Sequence, residues 1–337
     1  MELGILSLGD HLPDPRTGRR VSQADRHRSI VEMGVRAEEL GFSMVAIGEH
    51  HFNDYIVASP SVMLAAIAAR TSRIRLSPAV TLLPMADPVR VAEDYATLDL
   101  ISGGRMELMV GRGISPKDYL SFGLDPAEDR ANLDEKLALL DALWSPDARP
   151  VTWSGRFRAP LDGVTVQPRP LQARPRIWMG SGLSEDSVKR VAERGRPLFL
   201  PSILRRPESY AELVRLYREA MEANGHGDQA FVGCCSHVHV GETSQAAREE
   251  WRPHLVQYAE WVNGIRGVDV KVDFDRVIDG PAICGSPAEV SERLQTIDEL
   301  LRPDVHLSLF DLGGLPHEKV MRTMELFSTD VMPKLRA

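Results

Sequence analysis

LGILSLGDHLP, residues 3–13, is the stretch whose reading separates the two fold classes open to this chain. Leu3 to Leu8 reads as a first strand, short and apolar. A doubly wound dinucleotide-binding sheet needs G-x-G-x-x-G directly after that strand. Its glycines make the tight turn and let the backbone approach a pyrophosphate at a helix N-terminus. Here the strand is followed by Gly9-Asp10-His11-Leu12-Pro13, which does not have that form.

Working outward, short apolar runs alternate with helical patterns. Ile30, Met33, Ala37 and Leu40 recur at helical spacing, and Gly41 suits the end of that helix. Strands are expected at Ser43–Gly48, Ile74–Leu82 and Arg105–Val110, with Ser59-Pro60 and Asp87-Pro88 opening the helices between them. Leu133, Leu137, Leu140 and Trp144 mark a further helix. From about 145 to 176 the alternation fails amid prolines and glycines, which reads as an insertion with a hairpin around Val151–Arg158. It then resumes, with strands at Ile177–Met179, Leu198–Leu200, Phe231–Val240 and Val305–Phe310. The intervening helices are read at Ser184–Arg194, Pro207–Ala223, Thr243–Val262 and Pro287–Leu301, and a terminal helix at Pro316–Met332. Eight strands, each with a helix, predict an α/β fold: a TIM (β/α)8 barrel with insertions, as one domain over 1–337.

Composition narrows the function classes. The 337 residues are 43% hydrophobic and 26% charged, a globular balance. A net charge of −8 without a long basic run argues against nucleic-acid binding. No apolar stretch approaches the roughly 18 residues a membrane helix needs, and MELGILSLGD lacks the basic region of a signal peptide. Three cysteines make no disulfide framework, so a cytoplasmic location is the simplest reading.

In a barrel the chemistry sits at the C-terminal strand ends. The second strand runs into Glu49-His50-His51. Adjacent histidines in extended chain point to opposite sides, so they bind one metal poorly together. His237 and His239, two apart, share a strand face but have no carboxylate beside them in sequence. No metal is therefore expected. A neutral imidazole moving a proton is the stronger functional reading, with histidines that only cap the barrel mouth as the plain alternative. Gly180-Ser181-Gly182 leads into the helix starting near Ser184, where free N–H groups suit a phosphate. An ordinary βα turn with Ser184 as N-cap is the plain alternative there. Arg112, between two glycines at the end of the fourth strand, calls for an anionic partner.

Read together, these residues resemble one family. LLPMADPVRVAEDYATLDLISGGRMELMVGRGISPKDYLSFG (82–123), EHHFNDY (49–55) and GGLPHEKVMRTMELFSTDVMP (313–333) are similar to the bacterial-luciferase-like flavin-dependent monooxygenases, of the alkanal monooxygenase α-subunit type. The resemblance is weakest over 145–176 and 262–285. It implies a barrel that binds reduced FMN at the strand C-termini. It places the flavin phosphate on Arg112, Arg130 of EDRANLDE, Ser181 and Ser184, and the flavin ring near Glu49, Ala79, Val80, Gly111, Ile114 and Gly180. It makes His50, with Glu49, the catalytic pair and gives His51 a supporting hydrogen bond. A cis peptide between Ala79 and Val80 is implied, as are a homodimer through the first helices and a lid at about 262–285. Gly111 stands where luciferase has a cysteine, Ser115 where it has a tyrosine and Gly180 where it has a glutamate, which counts against light emission and a long-chain aldehyde.

The activity implied is a two-component monooxygenase. A separate NAD(P)H:flavin reductase supplies FMNH2, O2 adds at flavin C4a, and the hydroperoxide passes one oxygen to a small organic substrate. Relatives that use F420 as a hydride carrier, and non-catalytic flavin-binding subunits, are the alternatives.

Overall fold

In the computed structural model, which describes residues 1–181 and 183–335, the strand runs become a parallel barrel wrapped by helices. The strands are β1 Glu2–Ser7, β2 Met44–Ile47, β3 Arg75–Pro78, β4 Thr81–Leu82, β5 Leu108–Gly111, β6 Val151–Trp153, β7 Leu161–Val164, β8 Ile177–Gly180, β9 Leu198–Phe199, β10 Val232–Val240, β11 Ile283–Gly285 and β12 Val305–Leu309. The helices are α1 Gln23–Glu39, α2 Pro60–Ala68, α3 Pro88–Ser102, α4 Pro116–Ser121, α5 Asp129–Leu143, α6 Glu185–Glu193, α7 Glu208–Ala223, α8 Ser244–Ile265, α9 Phe274–Ile278, α10 Pro287–Leu301, α11 His317–Leu326 and α12 Met332–Leu335.

Nine strands follow the order β3-β2-β1-β12-β10-β9-β8-β5-β4, and every pairing along that path is parallel. β3 and β4 are two halves of one stave, separated by Ala79 and Val80, whose peptide bond is cis as the resemblance implied. One half pairs with β2 and the other with β5. A bridge between Leu76 and Met106 brings the two ends of the path together, so the barrel nearly closes.

Both faces of a parallel strand are covered, which is why the strands are continuous apolar runs. All four residues of β2 and all nine of β10 are buried. Met44, Ala46, Met109, Trp178, Cys235 and Leu307 fill the barrel interior. Ile30, Met33 and Ala37 of α1 and Val290, Leu294, Ile297 and Leu301 of α10 turn the expected stripes onto the strands. The predicted caps hold at α3, where Asp87 accepts from Val89 N at 2.8 Å and Pro88 takes the first turn.

Three boundaries differ from the sequence reading. The stave predicted from Arg105 begins only at Leu108, because the Arg105 guanidinium turns back to the carbonyls of Ala68, Thr71 and Ile74. The hairpin of the insertion reaches to Val164 rather than Arg158. The Glu135 carboxylate takes the N–H groups of Arg156 and Phe157 at 2.8 and 2.9 Å, holding that turn against α5 before the return strand starts. The third concerns 262–285. α8 runs on to Ile265, and the residues after it to 271 are exposed. α9 then buries Phe274 and Ile278, and β11 pairs with β10.

α8 crosses the end of the barrel. Its Trp251, Leu255 and Tyr258 form a second apolar cluster with Leu12, Tyr55, Phe274 and Leu312 from the loops and segments around the mouth. Among the described residues no helix is long and apolar enough to cross a membrane.

Candidate active site

The mouth is assembled from strand ends. β2 delivers Glu49, a mostly buried carboxylate whose Oε1 lies 3.0 Å from His51 Nε2 and whose Oε2 accepts from Leu82 N at 3.3 Å. Glu49 therefore ties the end of β2 to β4. β4 pairs Leu82 with Gly111 of β5, and β5 pairs with β8, which ends at Gly180. Val80 fills the space between these strands. A Cβ at Gly111 would lie 2.5 Å from Val80 Cγ2, and one at Gly180 would lie 2.9 Å from Val80 Cγ1. Both positions admit only glycine while Val80 keeps its place, so this side of the mouth is a floor without side-chain ridges.

His50 stands on the other side. Its ring stacks on Tyr55 with centroids 4.0 Å apart, and its Nδ1 is enclosed without a partner. Burial pushes its pKa down to about 4, His51 adds to that effect, and a hydrogen bond to the Leu8 backbone opposes it. The imidazole is thus neutral at neutral pH, with a free ring nitrogen.

The expected phosphate residues are placed unevenly. Arg112 is 37% exposed rather than buried, and its anionic partner in this chain is Asp129. The Arg112 carbonyl accepts from Tyr119 Oη at 2.6 Å, which fixes the loop after β5. Arg130 adjoins Asp129, is exposed and makes no ion pair among the described residues. Ile114 is 71% exposed. Ser181 uses its N–H on Phe199 O at 3.0 Å, so that group is not free for an anion. Ser184 is the N-cap of α6, in a capping box with Ser187. Gly182 lies outside the described residues.

Several residues near the mouth went unread in the sequence or, like His237 and His239, were read only as a poor metal pair. Tyr55 and Tyr258 share a hydroxyl hydrogen bond of 2.7 Å, and Trp261 packs edge-on to Tyr55 at 4.6 Å. His237, on the same face of β10 as the interior Cys235, meets the Tyr258 ring at 5.2 Å and leaves Nε2 enclosed and unpartnered. His239 stacks on Trp251, and its Nε2 lies 3.3 Å from Glu250 of α8, a carboxylate the local sequence did not offer. Tyr55 had a signal in its place in EHHFNDY, and His237 and His239 had one in their shared strand face. Nothing in the helical pattern of 243–262 says that Tyr258 turns into the mouth.

A cavity of about 550 Å³ lies elsewhere, between α1, the loop after β1 and α11. Arg26, Asp10 and Asp311 contribute to its lining, and none of the expected site residues does. Arg26 donates to Asp311 Oδ2 at 2.8 Å, and Ser7 Oγ donates to the same oxygen at 2.5 Å.

This barrel and mouth have known counterparts. The model of the luciferase-like monooxygenases matches residues 1–302, and the chain belongs to that family. It is 25% identical to the alkanal monooxygenase alpha chain of Photorhabdus luminescens, over 94% of this chain and 93% of that one. Among solved structures, monooxygenase RslO1 from Streptomyces bottropensis superposes with a TM-score of 0.88 at 28% identity, covering 99% of this chain and all of that one. The oxygenating constituent of 3,6-diketocamphane monooxygenase from Pseudomonas putida, a type II Baeyer–Villiger enzyme in complex with FMN, gives 0.83 at 20%, covering 99% and 98%. The F420-dependent tetrahydromethanopterin reductase of Methanopyrus kandleri gives 0.72 at 21%, covering 98% of each chain. The fold therefore serves FMN in one relative and F420 in another.

Proposed function

We propose that the protein is the oxygenase of a two-component system, taking FMNH2 from a separate NAD(P)H:flavin reductase and using O2 to oxygenate a small organic substrate. The observation that carries this reading is His50, a neutral imidazole with an enclosed, unpartnered nitrogen across the mouth from a ridge-free floor. The residues present fit the flavin. Val80, Gly111 and Gly180 offer a flat surface, and Glu49 and Ala79 border it. Arg130 makes no ion pair among the described residues, and Arg112 is reachable by exchange from Asp129. These arginines, the Ser181 hydroxyl and the N-terminus of α6 behind Ser184 would hold the phosphate. Bound FMNH2 supplies the electrons that activate O2. His50 holds or gives a proton at the reacting centre, and Glu49 fixes His51 beside it.

Exposed Val268 and Val270 follow the end of α8, so we assign the closing lid to the exposed residues after it rather than to all of 262–285. Val62 and Ala66 of α2, with Ala69 at its C-cap, form an exposed small apolar stripe, which suits a homodimer. The three cysteines are free and buried, in keeping with a cytoplasmic protein.

Reductase-coupled, NADH-dependent oxygen uptake across aldehydes, ketones and phenols tests the reading. FMNH2 and F420 titrations run beside it, and tight F420 binding without FMN binding would move the protein to hydride transfer. Binding of flavin without oxygenation of any substrate would make it a non-catalytic subunit. His50→Ala should lower product formation by about 10²–10⁴ and leave FMN affinity unchanged, whereas Arg112→Ala should weaken FMN binding first. A wild-type rate in His50→Ala under saturating reduced flavin would return the histidine pair to a structural role.

A further inference from the structure

Four buried imidazole nitrogens lack a hydrogen-bond partner among the described residues, on His50, His237, His239 and His254, and those of His50 and His237 border the aromatic cluster at the mouth. His306, buried outside the barrel interior, has Ser236 Oγ at 3.1 Å on Nε2 and Ser308 Oγ at 3.4 Å on Nδ1. His50 Nδ1 and His237 Nε2 have nothing. An enclosed polar atom left unsatisfied is costly, and in a native protein it asks for a partner. His239 Nε2 has the Glu250 carboxylate 3.3 Å away, and the His254 ring is held through its other nitrogen by Gly313 O at 2.8 Å, as the His50 ring is held by the Leu8 backbone.

The two nitrogens flank one aromatic wall. His50 stacks on Tyr55, the Tyr55 and Tyr258 hydroxyls satisfy each other, and Tyr258 abuts His237. Trp261 lies against both tyrosines, with centroids at 4.6 and 6.0 Å. His50 was assigned above to the reacting centre. His237 has no task in that scheme, yet it stands at the far end of the same wall.

The wall selects by shape and charge. Rings prefer offset or edge contacts with other rings, so a planar ring compound suits it better than an alkyl chain. Both imidazoles are neutral near pH 7. Behind the tyrosines the Asp10 and Asp311 carboxyls act on Tyr258, and Asp10 also acts on Tyr55. Arg266 acts on Tyr55 from the exposed end of α8. Arg26 pairs with both carboxyls, and no cation among the described residues packs on the rings of the wall, so an anion there would gain no direct ion pair.

From this arrangement we infer that the substrate is a neutral, planar ring compound carrying a hydroxyl or carbonyl oxygen, and that His237 Nε2 makes the hydrogen bond to that oxygen. The inference rests on the oxygenase reading for calling the ligand a substrate. The ring-binding wall itself does not. His237 is a specificity residue in this scheme, apart from the flavin contacts.

Calorimetric titration of the purified chain, with and without FMN, tests this using 2-naphthol, naphthalene, 2-naphthoate and decanal. 2-Naphthol should bind at least about 5-fold tighter than the other three, the scale of one hydrogen bond to a buried group. His237→Ala should lose about 5- to 20-fold in 2-naphthol affinity with FMN affinity unchanged. His237→Gln, whose amide reaches the Nε2 position, should recover most of it. If His237→Ala does not fold, His237→Phe keeps the contact with Tyr258, removes both nitrogens and carries the same expectation. Decanal or naphthalene binding as tightly as 2-naphthol would overturn the inference. So would wild-type 2-naphthol affinity in the alanine or phenylalanine variant. If FMN binds and 2-naphthol does not, this inference falls and the oxygenase reading stands. If 2-naphthol binds and responds to His237 while FMN fails to bind, the oxygenase reading falls and the ring site stands.

Discussion

Lowering the pH from 7 to 5 should destabilise this protein by an amount its buried histidines set. Burial pushes His50, His237 and His306 down to about 4 from the ordinary 6.5. Between about 4 and 6.5 the unfolded chain therefore binds protons that these three folded histidines refuse, and His254, also pushed down by burial, acts in the same sense. Stability rises with pH across that window and is lost on acidification. Together the three histidines contribute about 5 kcal/mol to the loss between pH 7 and 5. Asp10 works in the opposite sense. Its burial, reinforced by Asp311 and opposed by Arg26, raises its pKa from 3.8 to about 7. The folded state takes up that proton first, so Asp10 returns about 2 kcal/mol over the same interval. The net loss is about 3 kcal/mol. Glu38 and Glu250, both lowered to about 2 from 4.5, add to it only below about pH 4.5.

Urea unfolding followed by far-UV circular dichroism, at pH 7 and pH 5 and constant ionic strength, measures this directly. Two variants separate the contributions. His306→Asn removes one refused proton and should shrink the loss to about 1 kcal/mol. Asp10→Asn removes the opposing group and should enlarge it to about 5 kcal/mol. Equal or greater stability at pH 5 than at pH 7 in the wild-type protein would refute the reasoning. A loss that both variants left unaltered would also refute it, because the slope would then belong to other groups.

Gly111→Ala would set a Cβ 2.5 Å from Val80 Cγ2 and should cost about 1–3 kcal/mol, with Val80→Ala in the same chain restoring most of it. A denaturation midpoint unchanged in the single variant would show that Val80 is free to move. Arg26→Met would leave Asp311 and Asp10 without their cation and should cost about 3–5 kcal/mol at pH 8, read as a lower unfolding midpoint. Light scattering at micromolar concentration should show twice the chain mass, reduced to one by Val62→Glu on the exposed face of α2. A wild-type monomer under those conditions would end the dimer proposal.

Most of the fold was legible because a parallel barrel writes itself as apolar runs between amphipathic helices. Stripes such as Val290, Leu294, Ile297 and Leu301 land on the strands where their spacing says. What escaped was decided by single long-range polar contacts. Arg105 reaching three carbonyls around α2 and Glu135 holding the insertion's turn have no periodic signature. β11 has three residues, too few for alternation to show.

The site divides along the same line. Glu49, His50 and Gly111 follow a strand end, so the barrel rule finds them without knowing what they touch. Tyr258 and His237 become neighbours only because α8 crosses the mouth, and that crossing follows from a second apolar cluster built by loops far apart in sequence. Even the glycines were legible as positions and not as reasons. Gly111 and Gly180 read as departures from a reactive cysteine and a glutamate, yet the space those side chains would need is held by Val80. The departures are thus one coordinated change, since a bulkier residue at either position requires Val80 to yield. The aromatic wall takes no part in that change, since the nearest neighbours of both glycines are Val80 and Val110 and not Tyr258 or His237.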